Sequence, residues 1–450
     1  MNPSSENKGG SLVWLALGVF LVGAHAWAAS NPEGAWWGIH FLGYLPTGIR
    51  WGFLTLALLW VGIFLGTKWF PAWIARFEDL AQKPKAWLLL SVATGLIGSV
   101  CFYAFPIATD VYGDSWNMEK WHGDNREFQW KWVTGAFHPN IMVHKESLTI
   151  GFHRILSFWT GADIRTVYSV VANVAGGGVL FLWTLFLRHQ EFAGLRLPLW
   201  LAGVFLGATG VFFGQAENYP LPMLLMTLFF MLAQRVAKGG GPVWLLWVLF
   251  LVLVRSHATL MVWTPGLVYL TWFRLKGHRP AAYWLPWILV VLGGATLYFV
   301  ILKSHFWPDD LIKGRRDLFL PFTTGPNLGF NYTLFNSAHL TDLVNSVAQL
   351  AAAPVLMLVG AMLASRKTPR LRAWPGFLAQ GTSLTLAFFF FLNPALSMPR
   401  DWDLFCLLGL TLLFFCAGYF SGRKWSAKTA QGLTLMALIA GTLAIPMHVT

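Results

Sequence analysis

The chain has 450 residues, of which 56% are hydrophobic and 11% charged, and its net charge is +13. A soluble domain carries roughly 25% charged residues, so this chain lacks the polar surface of a water-soluble globule. The positive charge does not mark a nucleic-acid binder, because the basic residues fall in short turns between apolar stretches. Cys101, Cys406 and Cys416 lie inside apolar stretches and show no disulfide or metal-ligand spacing.

Apolar runs of roughly 17–25 residues recur along the chain, each long enough to cross a bilayer core. They predict an all-α integral membrane protein of about thirteen transmembrane helices. The expected spans lie near 11–28, 50–69, 86–105, 166–188, 197–214, 219–235, 242–255, 258–274, 283–303, 342–364, 375–394, 402–420 and 429–446. The pair at 242–255 and 258–274 is short and reads equally as one broken unit. A two-helix segment, 1–85, precedes the main transmembrane domain, 86–450. Residues 24–30, AHAWAAS, resemble a signal-peptide cleavage site. Only Lys8, beside Glu6, precedes that first apolar run, which favours a retained helix over a cleaved 1–29. The stretch 147–160, SLTIGFHRILSFWT, has apolar residues at helical spacing around His153 and Arg154. It predicts an amphipathic helix lying in the membrane interface.

Alternating the spans from an inside N-terminus gives inside turns that carry 19 of the 32 basic residues and only Glu6, Glu78, Asp79 and Glu191 of the 19 acids. Each inside turn is net positive, as the positive-inside bias requires. The chain is therefore expected to be a multi-pass plasma-membrane protein with a cytoplasmic N-terminus. The two longest polar stretches, 106–146 and 304–341, come out on the external side, and loops of that length in a compact protein usually carry function.

The polar residues of chemical interest share that side. Asp110 and Asp114 follow directly on a span, where a partly shielded carboxylate has a raised pKa and suits general-base work. Their spacing of four also suits a divalent cation completed by water. Asp124 and Glu127, further along, read as ordinary solvated acids. Glu217 stands in GQAENYPLPMLL, between two spans that leave almost no loop, and an ionisable residue so placed needs a partner or a role. The alternative is a tight turn, with Pro220 opening the next helix. Arg255 and His257, in VRSHATL, end another apolar run. The arginine requires an anion there, either a protein carboxylate such as Glu217 or a phosphate. Lys313, Arg315 and Arg316 form an external basic cluster beside Asp309, Asp310 and Asp317, suited to a phosphate or to balancing its own acids. Arg400, Asp401 and Asp403 put three charges in four residues where a span begins, as site residues or as helix N-terminal acids. Asp114, Glu217, Arg255 and Asp401 are expected to converge within about 15 Å on a pocket that opens outward.

These motifs resemble the GT-C superfamily of polytopic glycosyltransferases. YGDS at 112–115 is similar to the acidic motif of that superfamily's first large outer loop, and KESLTIGFHRIL at 145–156 to the amphipathic segment after it. GQAENYP and PRDWDLF resemble motifs of bacterial members. The resemblance covers roughly residues 86–420 and implies transfer of a sugar from a polyprenyl phosphate to an acceptor hydroxyl, of a glycan, lipid or protein, on the outer face. It makes Asp114, with Asp110 as the alternative, the base. It gives Arg255, His257, Lys313, Arg315 and Arg316 the lipid phosphate, and Glu217, Arg400, Asp401 and Asp403 the cavity or the acceptor hydroxyls. No resident cofactor is required beyond the divalent cation that Asp110 and Asp114 suit. The acidic loop follows the third span here, not the first as in the superfamily. Two rival functions remain from the residues alone. A lipid or solute transporter would place its polar groups at mid-membrane and break its helices there, and GGG at 176–178 is the strongest point for it; close helix packing explains those glycines equally. A surface-polysaccharide polymerase or ligase would use a lipid diphosphate donor. An inert envelope scaffold has no need of Arg255, Glu217 and the 400–403 cluster beside the membrane.

Overall fold

A computed structural model describes residues 3–107, 146–214, 216–276, 288, 320, 332–365, 373–393, 398–399 and 402–448. Among these residues the chain is helical and contains no strand. The α-helices are α1 Pro3–Ser30, α2 Thr47–Gly66, α3 Trp69–Gln82, α4 Pro84–Ala104, α5 Ser147–Thr160, α6 Ile164–Phe186 and α7 Arg196–Val204. They continue with α8 Pro220–Ala237, α9 Val243–Ser256, α10 Thr264–Lys276, α11 Ser337–Ser365, α12 Ala373–Phe391, α13 Cys406–Phe420 and α14 Ala427–Ala444.

Eight helices among the described residues are long and apolar enough to cross a membrane: Ser11–Ser30, Thr47–Gly66, Pro84–Ala104, Ile164–Phe186, Pro220–Ala237, Ser337–Ala364, Trp402–Phe420 and Ala427–Met447. This is the architecture of an integral membrane α-protein. The expected run at 197–214 is instead the nine-residue α7 followed by a 3-10 helix, Gly207–Phe212. Gly203, Gly207 and Gly210 interrupt it, and glycine weakens a helix interior. The run at 242–255 is the shorter apolar α9, and that at 258–274 is a 3-10 helix, Ala258–Trp263, leading into α10. The run at 375–394 is α12, which is not among the eight. The expected span 283–303 lies outside the described residues, apart from residue 288. The polar stretch placed at 304–341 ends earlier, because α11 begins at Ser337.

Ion pairs gather the basic turns at one end of the bundle. Lys238, after α8, pairs with Glu191 at 3.0 Å, and the Gly422 amide donates to the Glu191 carbonyl at 3.1 Å. Arg196, which opens α7, pairs with Glu78 of α3. α3 is amphipathic: Phe70 is buried, Trp73, Phe77 and Leu80 pack on the core, and Lys68, Arg76 and Lys83 face out.

Inside the bundle, Trp402–Phe420 is 89% buried and Ala427–Met447 72%, against 22% for Thr47–Gly66, so the last two spans form the centre and α2 the rim. An aromatic cluster of Phe186, Phe230, Trp263, Phe377 and Phe414 fills the space around α13. α4 and α6 cross closely because Gly177 has no side chain: a Cβ there would stand 1.9 Å from Ser99 Oγ and 2.6 Å from the Gly95 carbonyl. Small residues permit such approach where lipid offers no hydrophobic drive, so the packing account of 176–178 is the one the geometry supports. Pro354 bends α11, with Ala351 leaving helical geometry at φ −144°, ψ 27°, because proline supplies no N–H to residue 350 and its ring crowds that carbonyl.

Candidate functional site

At the end of the bundle opposite the basic turns, a buried polar cluster forms where five segments meet. α8 connects the two ends, running from Tyr219 to Lys238, a rise of about 27 Å for its 18 residues.

α5 supplies one wall. Gly161, at φ +67°, ends it, and Asp163 opens α6 by accepting from the Thr166 amide at 2.9 Å. Glu146, Thr149 and His153 fall on one face of α5 and its entry, spaced three and four apart, and all three are buried. The opposite face exposes Phe158 and Trp159. The Thr149 hydroxyl donates to the Ser256 carbonyl at 2.9 Å, which joins α5 to the end of α9. His153 Nδ1 lies 2.7 Å from the Thr149 carbonyl, and since a carbonyl only accepts, Nδ1 carries the proton. Burial pushes the His153 imidazole down to about 4, against the upward pull of that hydrogen bond. Its ring stacks on Tyr168 of α6 at 3.8 Å between centroids.

Four links continue from there. The Tyr168 hydroxyl donates to Asn218 Oδ1 at 3.0 Å. Asn218 Nδ2 donates to Glu146 Oε2 at 2.7 Å. Glu146 Oε1 lies 3.3 Å from His257 Nε2. His257 Nδ1 lies 2.6 Å from Thr259 Oγ1. Asn218 thus supplies Glu146 with a donor at Oε2, which offsets part of the desolvation of a buried carboxylate.

The turn between the 3-10 helix Gly207–Phe212 and α8 supplies the other wall. Gly214 takes φ +81°, which only glycine adopts without strain. The turn then brings Glu217, Asn218 and Tyr219 inward, at 2%, 1% and 8% exposure. Glu217 stands three residues before Pro220, near the positive end of the α8 dipole. The Tyr219 ring packs 5.1 Å from His257. Its phenol is pushed well above the usual range by burial and then by Asp403, Glu146 and Glu217. Glu146, Glu217 and Asp403 thus all act electrostatically on one phenol. Both ends of the 106–146 stretch are tied to this turn: the Ile107 amide donates to the Phe213 carbonyl at 2.9 Å, and Glu146 holds Asn218.

Of the residues singled out from the sequence, Glu217, His257 and Asp403 are buried; the His257 ring packs on Tyr219, and Glu217 and Asp403 raise its phenol electrostatically. Arg255 is half-buried in the last turn of α9. Asp110, Asp114, Lys313, Arg315, Arg316, Arg400 and Asp401 lie outside the described residues. Sequence reasoning missed Glu146, Tyr168 and Thr259. For Glu146 a signal was present, since it shares helical spacing with Thr149 and His153. Among the described residues no three histidine, cysteine or acidic side chains come together as a metal-ligand set.

The cluster's carboxylates and neutral phenols suit hydrogen-bonding hydroxyl groups. No family model, no curated protein and no solved structure matches the chain.

Proposed function

We propose that this protein is a polytopic glycosyltransferase of the GT-C type, moving a sugar from a polyprenyl-phosphate donor to an acceptor hydroxyl at the outer face of the plasma membrane. The observation that carries it is the buried polar cluster of Tyr168, Asn218, Glu146 and His257, with Glu217 and Asp403 acting on the same Tyr219, at the end of the bundle remote from the basic turns. By the positive-inside bias that end is the external one, which supports a cytoplasmic N-terminus and a thirteen-span topology, with the four shorter helical units and 283–303 completing the eight long helices. An enzyme acting on a membrane-anchored donor needs its reacting groups at this depth. Carboxylates there suit acceptor hydroxyls, and a guanidinium suits the phosphate.

In this reading Asp114, or Asp110, is the base. Lys313, Arg315 and Arg316 supplement Arg255 as cations, and Arg400 and Asp401 complete the acceptor side. The test is to incubate the purified, lipid-reconstituted protein with polyprenyl-phosphate hexoses and pentoses and to follow release of polyprenyl phosphate. Release that falls at least tenfold in Glu217→Gln, and in Asp114→Asn, is expected. Absence of release from every donor, including lipid diphosphate oligosaccharides, removes the transferase reading; release from the diphosphates alone points to a polymerase or ligase.

A second reading, a lipid or solute transporter, is favoured by the broken unit of α7 and Gly207–Phe212 packing on the bent α11, since discontinuous helices mark many transporter sites. Vesicle flux without donor cleavage would select it.

A further inference from the structure

At the end of the bundle that carries the basic turns, the described acids already have cations of their own. Glu78 pairs with Arg196, Asp79 with Lys83 at 2.6 Å and Glu191 with Lys238 at 3.0 Å. No Asp or Glu occurs between Glu217 and Asp309. Arg235 and Arg274 both lie in that acid-free stretch, both are exposed, and among the described residues neither pairs with a carboxylate.

The fold nevertheless brings these two arginines to one turn. α8 ends in a Schellman turn: Gly239, at φ +89°, donates its amide to the Val236 carbonyl at 2.9 Å, and the Gly240 amide donates to the Arg235 carbonyl at 2.9 Å. Arg235 folds back over this turn, and its Nε donates to the Gly240 carbonyl at 2.8 Å. That bond holds the guanidinium in place and leaves both Nη groups for an outside acceptor. Arg274, in the last turn of α10, reaches the same turn from the other side. A Cβ on Gly239 would stand 3.6 Å from its Nη1 and 3.8 Å from its Nη2. The negative ends of α8 and α10 favour cations here, but each carries only about half a charge. Like charges held together repel, and a phosphate, whose oxygens match a guanidinium fork, relieves that repulsion by meeting both.

The surface beside the turn is apolar. The turn leads directly into α9, where Trp244, Val248 and Leu251 are exposed at spacings of four and three, a single strip along the helix. Leu275, next to Arg274, is exposed as well. The arginine pair therefore stands at the foot of a strip suited to hydrocarbon, which favours an amphiphile over a soluble anion.

We propose that the 238–241 turn binds the headgroup of an anionic membrane phospholipid, with Arg235 and Arg274 on its phosphate and its acyl chains along Trp244, Val248 and Leu251. Basic pockets between transmembrane helices hold anionic headgroups in this way. The bound lipid links the C-terminal ends of α8 and α10. The site is separate from the cluster at the other end of the bundle and does not depend on the chemistry there.

The experiment titrates the full chain, stripped of lipid in detergent, with phosphatidylglycerol and with phosphatidylcholine of the same chains. Wild type is expected to bind phosphatidylglycerol about tenfold more tightly, the scale of a hydrogen bond to a charged group. Arg235→Gln combined with Arg274→Gln should abolish that preference and leave phosphatidylcholine binding and the lipid-free melting temperature unchanged. Replacing both arginines by lysine, which keeps the charge without the fork, should recover part of it. Arg76→Gln, which removes an exposed cation of α3, should leave it intact. Equal binding of the two lipids by wild type, or a preference that survives the double glutamine variant, would overturn the site. So would an equal loss in Arg76→Gln, which is the mark of diffuse surface charge. Displacement of phosphatidylglycerol by glycerol phosphate, or tighter binding of polyprenyl phosphate at this turn, would overturn a phospholipid as the occupant.

Discussion

Arg196 is fully buried at the basic end, and replacing it tests the packing of the whole N-terminal half. Its side chain is 0% exposed and that of its partner Glu78 is 20% exposed. Nε donates to the Leu187 carbonyl at 3.1 Å, and Nη2 to those of Arg188 and His189 at 3.3 and 3.4 Å. These carbonyls follow the C-terminal end of α6, where the helix dipole is negative and backbone acceptors lack helical donors. Nη1 meets Glu78 of α3. One guanidinium therefore links α3, the end of α6 and the start of α7. Breaking a buried ion pair from one side costs about 3–5 kcal/mol, and each carbonyl left without a donor costs about 1–3 kcal/mol. Water reaching the partly exposed Glu78 offsets some of this, so Arg196→Met should lose about 3–5 kcal/mol. Glu78→Gln, which keeps a neutral acceptor, should lose less. The double variant Glu78→Leu with Arg196→Met should recover part of the single loss, because no unpaired charge remains. Chemical unfolding in mixed detergent–lipid micelles reads all three. A change of less than about 1 kcal/mol in Arg196→Met would refute the reasoning.

Further outcomes are expected at other positions. His153 titrates near 4 when folded and near 6.5 when unfolded, so the unfolded chain binds more protons between those values. Stability should then fall by up to about 3 kcal/mol as pH drops from roughly 6.5 to 4, a loss that His153→Phe should flatten in melting curves across that window. Gly177→Val should place carbon against the Gly95 carbonyl and cost about 1–3 kcal/mol by overpacking, measured by unfolding; an unchanged transition would remove the glycine contact between α4 and α6 as the reason for their approach. Trp159, 77% exposed on α5, should be quenched by lipids brominated near the headgroup more than by lipids brominated at the chain end, read as the fluorescence lost in Trp159→Phe.

The long spans were legible because a bilayer core demands sustained apolar length, a requirement that composition cannot hide. Their positions in the bundle were not. An all-apolar helix reads alike whether it faces lipid or protein, so nothing marked Trp402–Phe420 as the centre and Thr47–Gly66 as the rim. α3 was hidden among turn charges, although Trp69, Trp73 and Phe77 keep a spacing of four. At the site, Glu217, His257 and Asp403 were legible because an ionisable side chain at a span end is costly without a role. Glu146 was less so: it keeps helical spacing with Thr149 and His153, but it sits beside Lys145 and Ser147 in a run that reads as solvated loop. Only the tertiary meeting of α5 with α9 and the 213–219 turn buries it.

The account turns on where the carrier's phosphate sits. A structure determined with polyprenyl phosphate bound measures this directly. The phosphate is expected beside Arg255, with Glu217 and Asp403 facing the same cavity. A phosphate bound among the turns of Arg196, Lys238 and Arg423, or a lipid held midway along α11, would contradict it.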